Sequence, residues 1–217
     1  DGALPAASEP PRADVITEFV RQAAIVSEEG GVQLSADVFG VAAWAHAEDS
    51  ERIGQDLQRI LPHLDIVSPM LYPSHFSAGF GKIEDPSQRP FDLVYRGCVR
   101  SRSAAVRHGV ELRPWIQAFP WGVSDYSAMY VAEQMRAARE GGASGWLLWN
   151  PRNQYEEAME AMRYFLPSPS TPPAAGSEDV MDEQLEEVDA TPVDRLPDIG
   201  EPLGAFRYLV RTISPLL

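Results

Sequence analysis

The chain has 217 residues, with 18 Lys+Arg against 32 Asp+Glu and a formal net charge of −14 at pH 7. Hydrophobic residues at 44% and aromatics at 9% suffice for a sizeable core, which excludes wholesale disorder. The length suits one domain of about 100–200 residues. The acidity argues against a nucleic-acid partner, because phosphates need a basic face, and it disfavours anionic lipid. One cysteine, Cys98, excludes an internal disulfide and a cysteine-built zinc site. The four histidines, His46, His63, His75 and His108, show no metal-ligand spacing, so no metal or organic cofactor is expected. No apolar run reaches the roughly 18–20 residues of a membrane-spanning helix. The opening DGALPAASEPP lacks the basic and apolar regions of a signal peptide. It does not begin with Met, and the chain reads as a processed product or a fragment.

Residues 1–12 are expected as a loop. Ala13–Glu29 carries Val15, Ile16, Phe19, Val20, Ala23, Ala24 and Val26 at helical spacing and stops at Gly30-Gly31. Val32–Phe39 reads as a strand, Ile53–Leu64 as a helix and Asp65–Tyr72 as the second strand. The loop Pro73–Pro90, with Gly79, Gly81 and several prolines, suggests a shaped lid. Phe91–His108 is the next helix, and Val110–Ala118 a strand despite its internal Pro114. Asp125 is expected to cap the helix Tyr126–Glu140 through its carboxylate. Gly141-Gly142 ends that helix, Ala143–Trp149 is the fourth strand, and Gln154–Phe165 the last helix. From Pro167 to Gly176 the composition turns to Pro, Ser and Ala, and residues 176–201 hold ten acidic side chains against Arg195 alone. Residues 167–201 are expected as a disordered acidic linker, followed by a short amphipathic segment at 202–217.

Strands separated by helices of this length mean βαβ units and a parallel sheet, so the class is α/β with the core domain at 13–166. No strand is followed by the glycine fingerprint of a dinucleotide fold, which leaves the (β/α)8 TIM barrel. Barrel chemistry sits at the C-terminal strand ends, and the unusual residues gather there. Strand alternation puts Ser35 and Asp37 on one face, Ser68, Met70 and Tyr72 on another such face, and Arg113, Trp115 and Gln117 on a third. These polar sets suit the lumen, and the apolar sets between them suit packing under the outer helices.

LSADVFG (34–40), IGQDL (53–57), DIVSPMLYPSHF (65–76) followed by GFGKIEDPSQRPFDLV, RPWIQAF (113–119) and GWLLWNP (145–151) occur in this order. In these motifs, over residues 13–165, the chain resembles a bacterial family of putative glycosyl hydrolases. The resemblance implies a glycosidase-like TIM barrel whose last four strands are those of this chain. An Asp-containing strand motif that precedes this region in the family is absent here. The resemblance therefore implies a missing N-terminal barrel half, or a partner chain that supplies it. Without it, strands one and four would show open hydrogen-bonding edges.

Glycoside hydrolysis takes two carboxyl groups, about 5–5.5 Å apart for retention and ~6.5–9.5 Å for inversion. Only Asp37 stands near a C-terminal strand end on a polar face, so the resemblance makes it one catalytic carboxylate, with the other upstream. Asp65 opens its strand at the opposite end, and Glu84 and Asp85 lie in the 73–90 loop. The structural alternative for Asp37 is a buried ion pair with Arg113, two strands away on the same face. Tyr72, Trp115, Trp149 and Trp121 suit stacking on sugar rings, against the plainer reading of barrel packing. Trp146 is assigned to packing. His75, on a loop after a strand, and Gln117 and Asn150, which can hold hydroxyls, complete the candidate substrate-binding set. Cys98 reads as a buried, inert thiol. The expected function is hydrolysis of a carbohydrate polymer or oligosaccharide, outside the cytoplasm. The alternative is a carbohydrate-binding or inactive half barrel.

Overall fold

Apolar side chains three and four residues apart make Arg12–Gly30 a helix, α1, in a computed structural model of the chain that describes residues 10–44 and 52–165. Gly31 closes it at φ 65°, where Gly31 N donates to Glu28 O and Val32 N to Ser27 O, the paired bonds of a Schellman stop. Then come β1 (Ser35–Phe39), α2 (Leu57–Ile60), β2 (Ile66–Leu71), α3 (Pro90–Ala105), β3 (Glu111–Leu112), β4 (Trp115–Gln117), α4 (Ala128–Glu140), β5 (Leu147–Trp149) and α5 (Glu156–Met162). The elements follow the expected order; the strands are shorter than expected, and α1 runs one residue further at each end. The helix expected at 53–64 is reduced to α2 and a 3-10 turn at 61–63, because Gly54 at φ 72° breaks it and Asp56 caps a new start through Gln58 N. Asp125 does not cap α4. Ser127, extended at φ −159°, does so by accepting from Tyr130 N. The expected linker 167–201, segment 202–217, residues 1–9 and His46 lie outside the described residues.

All strands are parallel, in the order β1-β2-β4-β5, with β3 also on β2. The sequential order never reverses, as barrel staves do and a doubly wound sheet does not. The expected third strand splits into β3 and β4, yet both hold the same register on β2: Ile66 faces Glu111 and Met70 faces Trp115. That register places Pro69 opposite Pro114. Neither has an N–H; Pro69 leaves the β2 ladder without a donor on that rung, Pro114 turns its side of the backbone toward β5, and the register resumes beyond without slipping. Pro114 still contributes its carbonyl, which accepts from Leu147 N at 2.9 Å.

One face of the sheet carries the core. Val38, Val67, Leu71 and Ile116 pack with Leu93, Val94 and Cys98 of α3 and with Val131 and Met135 of α4, all almost fully buried. Gly97 lets α3 settle on β2, since a Cβ there would lie 2.6 Å from Leu71. Burial pushes the Cys98 thiol up to about 12, so this side chain is an apolar filler at neutral pH. The other face is open, and Ser35 and Asp37 on β1 are exposed there. Helix α1 leaves Val15, Phe19 and Val26 uncovered, a stripe of spacing four and seven on a single helical face.

Candidate active site

Asp37 lies one residue pair from the end of β1 on the open face, beside Ser68 of β2 in register. Its Oδ1 accepts from Trp115 Nε1 at 2.8 Å. Trp115 belongs to β4, so its indole reaches Asp37 across the inner face of β2. Ser68, small and fully buried, stands at the level of that crossing. Trp149 of β5 meets Trp115 edge to face at 6.1 Å, which braces the indole from the far side. Asp37, Trp115 and Trp149 thus form one connected group along the strand ends. Trp115, expected as a stacking platform, spends its polar edge on orienting the carboxylate.

The expected Asp37–Arg113 ion pair is not formed. Arg113 donates instead to Glu111 Oε2 at 2.6 Å, with both side chains partly open to solvent. The reason is distance along and across the sheet. Glu111 is two residues away on the same strand and face, whereas Asp37 is two strands away, about 9.6 Å by strand spacing. Ser144 Oγ also donates to Glu111, which anchors this pair away from the strand ends.

Tyr72 follows β2 and is buried, and its hydroxyl pKa is raised above the tyrosine range by desolvation first, then by the Asp37 carboxylate and Tyr155. Its ring meets His75 at 5.3 Å and Phe119 at 5.8 Å, and His75 meets Trp121 at 5.4 Å. Desolvation among these rings lowers the His75 pKa, so the imidazole is neutral at pH 7 and offers one donor and one acceptor.

Gln117 holds the cluster together from below. It is fully buried, its Oε1 accepts from Ser74 N at 3.1 Å, and its Nε2 donates to Phe119 O at 2.9 Å and Trp121 O at 3.2 Å. Both amide protons are therefore used, and the expected role of holding a sugar hydroxyl gives way to a clamp between the loops after β2 and β4. Its own backbone is gripped by Gln134 of α4, whose Oε1 accepts from Gln117 N and whose Nε2 donates to Gln117 O, each at 2.9 Å. Sequence reasoning passed over Gln134. The available signal was a lone amide among Val131, Met135 and Ala138 on the buried side of α4.

Asn150 is likewise occupied. Its Nδ2 donates to Ala118 O, and its Oδ1 accepts from Arg152 N at 2.8 Å and Gln154 N at 3.3 Å, which shapes the turn after β5. It also lines an open cleft of about 600 Å3 between the loops after β4 and β5. Tyr126, Ser124, Gln154, Glu156 and Glu157 face the same cleft. The Tyr126 hydroxyl is pushed up to about 12 by burial and by the Glu157 and Glu156 carboxylates. Sequence reasoning missed this cleft, because its walls come from two loops and a helix start.

Successive parallel βα units, with a solvent-facing carboxylate and aromatic side chains collected at the C-terminal strand ends, define an α/β domain of the barrel-forming kind, and the candidate site lies at the strand ends that such domains use. The chain belongs to the DUF4015 family, described as a putative glycosyl hydrolase domain, whose pattern matches residues 4–155. Among solved structures it is similar to the PgaB (BpsB) glycoside hydrolase domain from Bordetella bronchiseptica, with a TM-score of 0.50 and 18% identity over 70% of this chain. At that identity the likeness is one of fold. This chain spans 41% of the length of that one. No curated protein matches the chain. Among the described residues no helix is long and apolar enough to cross a membrane.

Proposed function

We propose that this chain carries one catalytic carboxylate, Asp37, of a glycoside hydrolase acting on a carbohydrate polymer or oligosaccharide outside the cytoplasm. The observation that carries this reading is the Trp115 Nε1–Asp37 Oδ1 bond at 2.8 Å, on an open sheet face at the strand ends. A hydrogen bond to one carboxylate oxygen fixes the direction of the group, as a nucleophile or base requires. Trp149, half-buried beyond Trp115, keeps ring surface suited to a pyranose, Tyr72 lies buried behind His75, and His75 adds a neutral hydrogen-bonding edge.

Hydrolysis needs a second carboxyl group, which protonates the leaving oxygen. Among the described residues no other Asp or Glu lies within a strand near its C-terminal end: Glu111 is tied up at the opposite end, and Glu156 and Glu157 line the cleft after β5. The second group then comes from further βα units, in the same protein or a partner chain. The exposed edges of β1 and β5 and the Val15, Phe19 and Val26 stripe of α1 are the surfaces that such units would cover. The absence of a second carboxylate from this group also favours the other reading, a carbohydrate-binding half barrel without turnover.

The test is Asp37→Asn in the domain extended by its upstream coding sequence. Turnover of the polymer should vanish, with the melting temperature and oligosaccharide affinity kept. Full turnover by the variant would remove Asp37 from the chemistry, and binding without turnover by the unmutated extended domain would establish the binding reading.

A further inference from the structure

We infer that Trp121 is an outer subsite for the substrate, a fixed indole face on which one pyranose ring stacks through its C–H side. This rests on the carbohydrate reading above and names a place in that site. Of the five tryptophans Trp121 alone is exposed, at 62%, while Trp44 is buried and the other three are half-buried. A singly exposed aromatic is ordinary on a protein surface, but one carried by a loop that is held in place offers a flat apolar face at a set position.

The turn that carries Trp121 is held from several sides. Val123 N donates to Pro120 O at 3.1 Å, closing a tight turn with Gly122 at φ 72°. A Cβ on Gly122 would lie 2.9 Å from Ser74 Cβ, so the turn is pressed against the loop after β2. Gln117 Nε2 holds Trp121 O from the core side, and Ser124 Oγ donates to Gln88 Oε1 at 2.9 Å on the outer side. The indole itself meets His75 edge to face at 5.4 Å. A pinned, solvent-facing aromatic loses little conformational entropy on binding, which is what a stacking platform needs.

Its position suits a polymer. One flank of the turn meets His75 and, through it, Tyr72 beside Asp37. The other flank, Pro120, Val123 and Ser124, forms a wall of the 600 Å3 cleft, a size within the range of about 300–1,000 Å3 of small-molecule sites. A chain of sugar rings crossing from Asp37 toward that cleft passes over Trp121. The neutral His75 imidazole, in contact with the indole, supplies a hydrogen-bonding edge for a sugar hydroxyl.

The experiment is isothermal titration of the full chain with cellohexaose, chitohexaose, chitosan hexamer and mannohexaose, with intrinsic tryptophan fluorescence read in parallel. The full chain should bind at least one hexamer. Trp121→Ala should weaken that binding by about tenfold or more, and Trp121→Phe should recover most of it, with melting temperatures unchanged in both. Affinity for Trp121→Ala within about twofold of the full chain would overturn the subsite and leave the carbohydrate reading standing. Binding of none of the four hexamers, by the full chain or by the domain extended by its upstream coding sequence, would overturn both.

Discussion

Replacing Gln117 by Leu removes one acceptor and two donors from a site that water does not reach. Ser74 N and Phe119 O would be left without partners in the interior, and each such buried group costs about 1–3 kcal/mol. Trp121 O lies on an exposed residue and can turn to water, so it adds little. The leucine returns part of the loss by burying apolar surface of similar volume, on the order of 1 kcal/mol. The net expectation is a loss of about 3 kcal/mol, which at a slope of about 2 kcal/mol/M lowers the urea midpoint by about 1.5 M. Hydrogen exchange localises the effect. The Ser74 amide should lose protection, while amides of the β1–β2 ladder keep theirs relative to the lowered global stability. A midpoint unchanged to within about 0.3 M, with oligosaccharide affinity lost, would refute the clamp and restore Gln117 as a ligand contact.

Two further outcomes follow from the same geometry. Gly40→Ala should destabilise by about 3 kcal/mol, because its Cβ would stand 2.3 Å from Met70 O, a backbone atom that cannot yield. Gly145→Ala, with nothing within 4 Å, should stay within about 0.5 kcal/mol, and equal melting curves for the two would contradict the packing. His75 has a folded pKa below its unfolded value of about 6.5, so the unfolded chain binds more protons between the two values. The stability held by neutral His75 is therefore complete above about pH 6.5 and falls away as the solution is acidified through the folded pKa. Denaturation at pH 7.5 and pH 5.5 should show a larger loss for the unmodified chain than for His75→Asn, and identical losses would mean the imidazole is not desolvated in the fold.

Much of this was legible in the residues alone. Helical spacing located α1, α3 and α4, alternation assigned Asp37, Trp115 and Gln117 to one face, and the order of motifs pointed to a parallel α/β sheet and to the family. These signals are local, because period and face depend only on neighbours along the chain. The break at Arg113-Pro114 was not among them: one strand was expected across Pro114, and the structure divides it into β3 and β4 on a common register.

Partners across the sheet were not legible. Asp37 and Arg113 share a face and a level, and charge alone suggested a pair. The structure gives Arg113 to Glu111 and Asp37 to Trp115, because a same-strand neighbour is nearer than one two strands away and an indole is long enough to cross β2. Gln117 and Asn150 looked like free amides at strand ends, yet both are consumed by loop carbonyls and amides whose positions no local rule supplies. The residues by themselves determined which side chains could do chemistry and on which face they stand. Only the tertiary structure decided which of them are spent on the scaffold and which still face a ligand, because a hydrogen-bonding group is used up by whatever the fold brings within about 3 Å of it.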